Sequence, residues 1–101
     1  VRWHELPTNE QLLRLRRYYA AYVSLIDEQV GRIMDKLQQK RYLDNTIVIF
    51  TSDHGDSLGD HGHIQKWMMY DCNTHVPMVV WSPAHLTSGY RTPALIQQMD
   101  I

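Results

Sequence analysis

Thr46-Ile47-Val48-Ile49-Phe50 runs without a break into Thr51-Ser52-Asp53-His54-Gly55-Asp56-Ser57-Leu58-Gly59-Asp60-His61-Gly62, and the reading of the fold turns on this junction. The first five residues are β-branched or aromatic and almost continuously apolar, the pattern of a strand covered on both faces. They are too few for a helix of their own. From Asp53 to Gln65 the chain loses all period and becomes rich in Gly, Asp and His. That stretch reads as a long loop, and long loops in compact domains are usually functional or disordered. A second apolar run, Pro77-Met78-Val79-Val80-Trp81, predicts another buried strand, ended by Ser82-Pro83 because proline cannot continue a ladder.

Upstream, Thr8-Asn9-Glu10-Gln11 has the form of a capping box, in which the threonine hydroxyl and the glutamine side chain satisfy each other's backbone N–H groups. Leu12, Leu15, Tyr19, Tyr22, Val23, Ile26, Val30, Ile33, Met34 and Leu37 then recur at three- and four-residue steps, which predicts an amphipathic helix to about Lys40. Such a helix is roughly 50 Å long, well beyond the ~13 Å gyration radius of a compact domain of this size. It must project, bend or break. Gly31 is the expected weak point or, equally, a place of close packing. Downstream, Thr92 and Pro93 are suited to start a short helix whose apolar side is Leu95, Ile96 and Met99. The order helix, strand, loop, strand, helix predicts an α/β layer arrangement with a mainly parallel sheet. Ligands of such sheets bind outside the carboxyl ends of the strands, so the segment after the first strand is the place to search.

A chain of 101 residues holds at most one core, and residues 1–101 read as a single, partial domain with no repeat or linker. Ten basic residues against eleven acidic ones imply neither a nucleic-acid nor a membrane partner. Arg14, Arg16 and Arg17 read as the solvated face of the helix. With Cys72 the sole cysteine, no intramolecular disulfide can form, and its thiol reads as a small buried hydrophobe. No apolar run approaches the ~18 residues of a membrane span. The compartment is not legible.

Asp53 and His54 stand at the end of the first strand and offer a carboxylate oxygen and an imidazole nitrogen, both good divalent-metal donors. Neighbouring side chains at a strand end diverge, so the two share an ion only if the chain turns, a freedom Gly55 supplies. Alone, the pair reads as readily as a turn aspartate beside a surface histidine. The wider pattern is more specific. Thr51 to Gly62, with Lys66, Met69-Tyr70-Asp71 and His75-Val76-Pro77-Met78, resembles the C-terminal metal-binding motif of the sulfatase family. The likeness continues upstream through Tyr19-Ala20-Ala21-Tyr22-Val23, Asp27 and Val30-Gly31-Arg32-Ile33, and downstream through Leu95 to Ile101.

The resemblance implies an alkaline-phosphatase-like α/β/α sandwich that hydrolyses sulfate esters or, in close relatives, phosphonate and phosphate esters. Asp53 and His54 match two metal ligands of that family, and Lys66 matches the lysine that contacts the anionic group of the substrate. The implied ion is calcium, with manganese the alternative in the phosphonate-hydrolase branch. His61 and His63 are candidates for supporting or acid–base roles, Asp56 and Asp60 for bracing the loop through Asx turns, and His75 for the edge of a pocket. His4 and His85 have no such context.

The family's nucleophile, a formylglycine made in a Cys/Ser-x-Pro-x-Arg setting, has no counterpart here, since Cys72-Asn73-Thr74-His75-Val76 does not fit that pattern. Nor are the family's N-terminal paired aspartates present. The chain is therefore expected to be a fragment of a metal-dependent sulfuric ester hydrolase, inactive alone. A reading from another class is a non-catalytic module that forms a homo-oligomer by exchanging its long helix between copies. For the isolated chain the expected outcome is no sulfate-ester hydrolysis with added calcium or manganese. A turnover that Asp53→Ala abolishes would overturn this.

Overall fold

The computed structural model describes residues 7–101. Its dominant element is a single helix, α1 (Asn9–Gln39), and both ends follow from the sequence. Thr8 Oγ1 accepts the Gln11 N–H at 3.3 Å while Gln11 Oε1 accepts the Thr8 N–H at 2.8 Å, which completes the expected capping box. At the other end Arg41 turns left-handed (φ 57°), so the Arg41 and Tyr42 N–H groups reach back to the Gln38 and Leu37 carbonyls. This is a Schellman-type stop, built here on arginine instead of the usual glycine. Gly31 neither breaks the helix nor packs closely, because nothing lies within 4 Å of where its Cβ would be. The rod of about 46 Å spans most of the molecule's 52 Å longest dimension.

A 3-10 turn, Leu43–Asn45, leads to β1 (Val48–Thr51), which starts two residues later than the apolar run suggested. After the loop, the one-turn helix α2 (Asp71–Thr74) precedes β2 (Met78–Trp81). Val48 pairs with Trp81 and Thr51 with Met78, so the two-stranded sheet is antiparallel. This corrects the expectation of a mainly parallel sheet. A parallel return needs a crossover, usually helical, that carries the chain back to the end where the first strand began; residues 52–77 are long enough for one, but the α-helix they form, α2, is a single turn. Instead, the Gly55 N–H donates to the Asn73 carbonyl at 2.8 Å, which lays the returning arm against the outgoing one before β2 begins.

The expected C-terminal helix over 92–101 is also corrected, since only a 3-10 turn, Gln98–Asp100, forms there. Thr92 Oγ1 accepts the Ala94 N–H at 3.2 Å, a turn contact two residues on and not a helix cap. Leu95, meant for the apolar side of that helix, is 100% exposed. Helices are sustained mainly by packing of such a face, and here it has no partner.

The strands were expected to be buried, yet Ile49 and Phe50 are each 43% exposed and no hydrophobic side chain is buried among the described residues. The stripe on α1, including Tyr22, Val23 and Ile33, is likewise exposed. The chain presents 9265 Å² to solvent, against about 5,900 Å² for a compact monomer of its 11.9 kDa mass. Its gyration radius of 17.4 Å exceeds the ~13 Å of a compact domain in the same sense. What is buried is polar: Ser57, Asn73 and Ser82.

Cooperative unfolding depends on an apolar core. Calorimetry of the isolated 101-residue chain should therefore show no sharp heat-absorption peak, and a peak of about 60–80 kcal/mol, as for a compact 100-residue domain, would contradict the open architecture.

Candidate functional site

The loop that joins the strands curls back on itself at a narrow neck. Ser57 N–H donates to the Gln65 carbonyl at 3.2 Å, and Asp56 Oδ1 accepts the Gln65 N–H at 2.9 Å and the Leu58 N–H at 3.4 Å. Asp56 thus braces the loop as an Asx turn, as expected. Between the two sides of the neck the backbone takes left-handed turns at Leu58, Gly59, His61 and Gly62, and again at Gln65. The non-glycine members of this set cost on the order of 1–3 kcal/mol each, and such costs concentrate at functional sites.

The outgoing arm carries Asp53 and His54, and the returning arm carries Lys66. His54 Nδ1 lies 2.8 Å from the Gly55 carbonyl, and His54 Nε2 lies 2.7 Å from Lys66 Nζ. A carbonyl only accepts and an ammonium only donates, so both contacts require the same ring form, with the proton on Nδ1 and a lone pair on Nε2. Asp53 Oδ2 sits 3.5 Å from the same Nε2, and its Oδ1 accepts the His54 N–H at 3.0 Å. An ion pair between Asp53 and His54 would need a proton on Nε2. The shorter lysine contact decides against it. His54, Asp56, Gln65, Lys66 and Trp67 line an open cleft of about 290 Å³.

The structure therefore brings together the three residues singled out by sequence. A carboxylate oxygen and an imidazole lone pair 3.5 Å apart are within the span of one cation whose bonds are about 2.0–2.6 Å long. They amount to part of a coordination shell. No group of three or more His, Cys, Asp or Glu suited to holding a metal occurs among the described residues. Calcium takes six to eight oxygens, so further donors would have to come from elsewhere.

The other described histidines do not line this cleft. His61 stacks on Tyr70 with ring centroids 4.0 Å apart, and His63 meets the same ring at 6.1 Å. His75 is exposed and closes α2 through its backbone N–H to the Asp71 carbonyl. His85 is exposed as well, and His4 lies outside the described residues. Cys72 is half-buried, with its thiol 3.8 Å from Ser57 Oγ.

Several supporting residues were not visible in the sequence. Arg16, expected on a solvated face, donates from Nε to the Leu58 carbonyl at 3.0 Å and pairs with Asp60 at 3.7 Å, which ties the loop to α1. Gly59 packs so closely that a Cβ there would lie 2.6 Å from Leu12 Cδ2. Gln98 Nε2 donates to the Ser52 carbonyl at 2.6 Å, just ahead of Asp53. A Cβ at Gly55 would collide with the Cys72 carbonyl oxygen, so glycine is required there for close approach, beyond the turn it was expected to supply. These are contacts between residues far apart in sequence, and no local pattern encodes them.

Comparison with known proteins gives a family model described as Sulfatase, which matches residues 3–101. The chain is 38% identical over 86 residues to a choline-sulfatase of Rhizobium meliloti (strain 1021), covering 85% of this chain and 17% of that protein. It is 41% identical over 75 residues to the iduronate 2-sulfatase of Homo sapiens, covering 74% of this chain and 14% of that protein. With an arylsulfatase of Clostridium perfringens (strain 13 / Type A) the identity is 40% over 90 residues, covering 86% and 19%. The chain spans less than a fifth of the length of each of these relatives.

Proposed function

The chain belongs to the sulfatase family, and from that membership we propose that it is the C-terminal segment of the catalytic domain of a sulfuric ester hydrolase. The observation that supports the reading is the meeting of Asp53 and Lys66 at His54 Nε2, beside a cleft that His54 and Lys66 line. In this reading the domain is an alkaline-phosphatase-like α/β/α sandwich. Its remaining layers cover the apolar stripe of α1 and the open faces of β1 and β2, which are exposed here.

Asp53 and His54 would hold a divalent ion, calcium by preference with manganese the alternative, together with donors from the rest of the domain. When bound, the ion supplies positive charge that offsets the charge developing as the ester S–O bond breaks. Asp53 contributes a carboxylate that is 79% exposed at its side chain and so free to turn toward a ligand. His54 contributes the Nε2 lone pair, oriented because the Gly55 carbonyl holds the proton on Nδ1. Lys66 rests against that lone pair at 2.7 Å, and its ammonium carries three N–H donors. It would turn to the sulfate oxygens when the lone pair is otherwise engaged. The attacking group, a formylglycine hydrate, belongs to the part of the hydrolase outside these residues.

A phosphonate or phosphate ester offers the same tetrahedral anion to the same lysine, so parallel assays with sulfate and phosphonate esters decide the substrate class. Exchange of α1 between two copies would cover the same apolar stripe, and sedimentation of the complete protein as a monomer would dismiss that alternative. In the complete hydrolase, Asp53→Ala and His54→Ala should each reduce metal content and affinity. Lys66→Ala should leave metal content intact and lower kcat/KM for an aryl sulfate by about 10²-fold or more. Metal content unchanged by both ligand substitutions would refute the assignment.

A further inference from the structure

His54 and Lys66 are twelve positions apart, and neither sits in a helix or strand, yet their side chains meet at 2.7 Å. Something must hold the two arms at that distance. Asn73, only 4% exposed, lies between them. Its Nδ2 donates to the Met68 carbonyl at 2.8 Å, two residues beyond Lys66. The same nitrogen donates to Ser57 Oγ at 3.1 Å, three residues beyond His54, and Ser57 Oγ donates in turn to Asn73 Oδ1 at 3.2 Å. The Asn73 carbonyl accepts the Gly55 N–H at 2.8 Å, and the Gly55 carbonyl accepts the His54 Nδ1–H.

We propose that Asn73 is a positioning residue, which sets the separation of His54 and Lys66 by tying the arm of each to one buried amide. The inference rests on the roles given above to His54 and Lys66. Asn73 lines neither the cleft nor any contact with those two side chains, so it acts through the backbone it holds. The chemistry calls for a carboxamide. One short, buried side chain must donate twice and accept once, and a carboxylate of the same shape accepts only. Aspartate would set an oxygen against the Met68 carbonyl and leave that carbonyl without its donor.

A double-mutant cycle on the complete hydrolase separates positioning from general stability, with 4-nitrophenyl sulfate as the probe and circular dichroism as the check on folding. Asn73→Asp should lower kcat/KM about 10- to 100-fold when Lys66 is present, the range seen when groups that orient a site are removed. In a Lys66→Ala background the same change should cost less than about 3-fold, because the lysine it positions is gone. Equal losses in both backgrounds would reduce Asn73 to a folding role and overturn the inference. If Asn73→Asp does not fold, Ser57→Ala, which removes a single hydroxyl, runs the same cycle with a smaller non-additive loss expected and additivity as the refuting result. Full turnover in Lys66→Ala alone would overturn the role of the lysine, and the positioning role with it, whereas additive losses overturn only the latter.

Discussion

The hydrogen bond from the Gly55 N–H to the Asn73 carbonyl, with the Ser57 hydroxyl and Asn73 amide enclosed beside it, is the constraint from which the rest of this architecture follows. It lays the returning arm of the loop along the outgoing one, and β2 consequently meets β1 antiparallel. It also brings Lys66 back to His54. A glycine is needed because any Cβ at position 55 would meet the backbone of Cys72. Buried amides and hydroxyls without partners cost about 1–3 kcal/mol each, so the knot is either satisfied as a whole or lost as a whole.

That knot is polar, and it takes the place an apolar cluster usually holds in a domain of this length. Its consequence is local order without a core. The site loop is fastened at its neck and by Arg16 to the helix, while the stripe of α1 and the faces of the sheet stay open. Burial of apolar surface yields roughly 25 cal/mol per Å², and in the reading proposed above the surface left open here is what further layers of a sulfatase-type domain would cover. The sequence places large apolar residues at helical spacing along 31 residues of α1, a pattern that makes sense only when something covers it.

At the site, the one nitrogen lone pair that could serve a cation is already in use. Lys66 occupies His54 Nε2 at 2.7 Å, and Asp53 stands 3.5 Å from the same nitrogen. A cation on that nitrogen and on Asp53 would displace the ammonium, and the displaced ammonium is then free for an anion. In the reading proposed here, the lysine contact and the metal donor set are two states of one arrangement. In that reading the His54 tautomer would be common to both, since the Gly55 carbonyl faces Nδ1 at 2.8 Å and favours the proton there.

The sequence by itself determined the ends of α1, the positions of both strands to within two residues, and the loop, and it singled out the three residues that meet at His54 Nε2. Each depends on neighbours close in the chain: the capping box at Thr8 and Gln11, the 3.6-residue stripe, the β-branched run, and the resemblance carried by Asp53, His54 and Lys66. Strand direction, the failure of residues 92–101 to complete a helix, and the roles of Arg16, Asn73 and Gln98 were decided only by the tertiary structure. Strand polarity depends on where the chain is pinned between the strands, and that pin joins Gly55 to Asn73 through a close approach that no local periodicity records. The unformed helix follows the same logic in reverse, since an apolar side such as that of Leu95, Ile96 and Met99 becomes helical when a surface receives it, and in this structure none does.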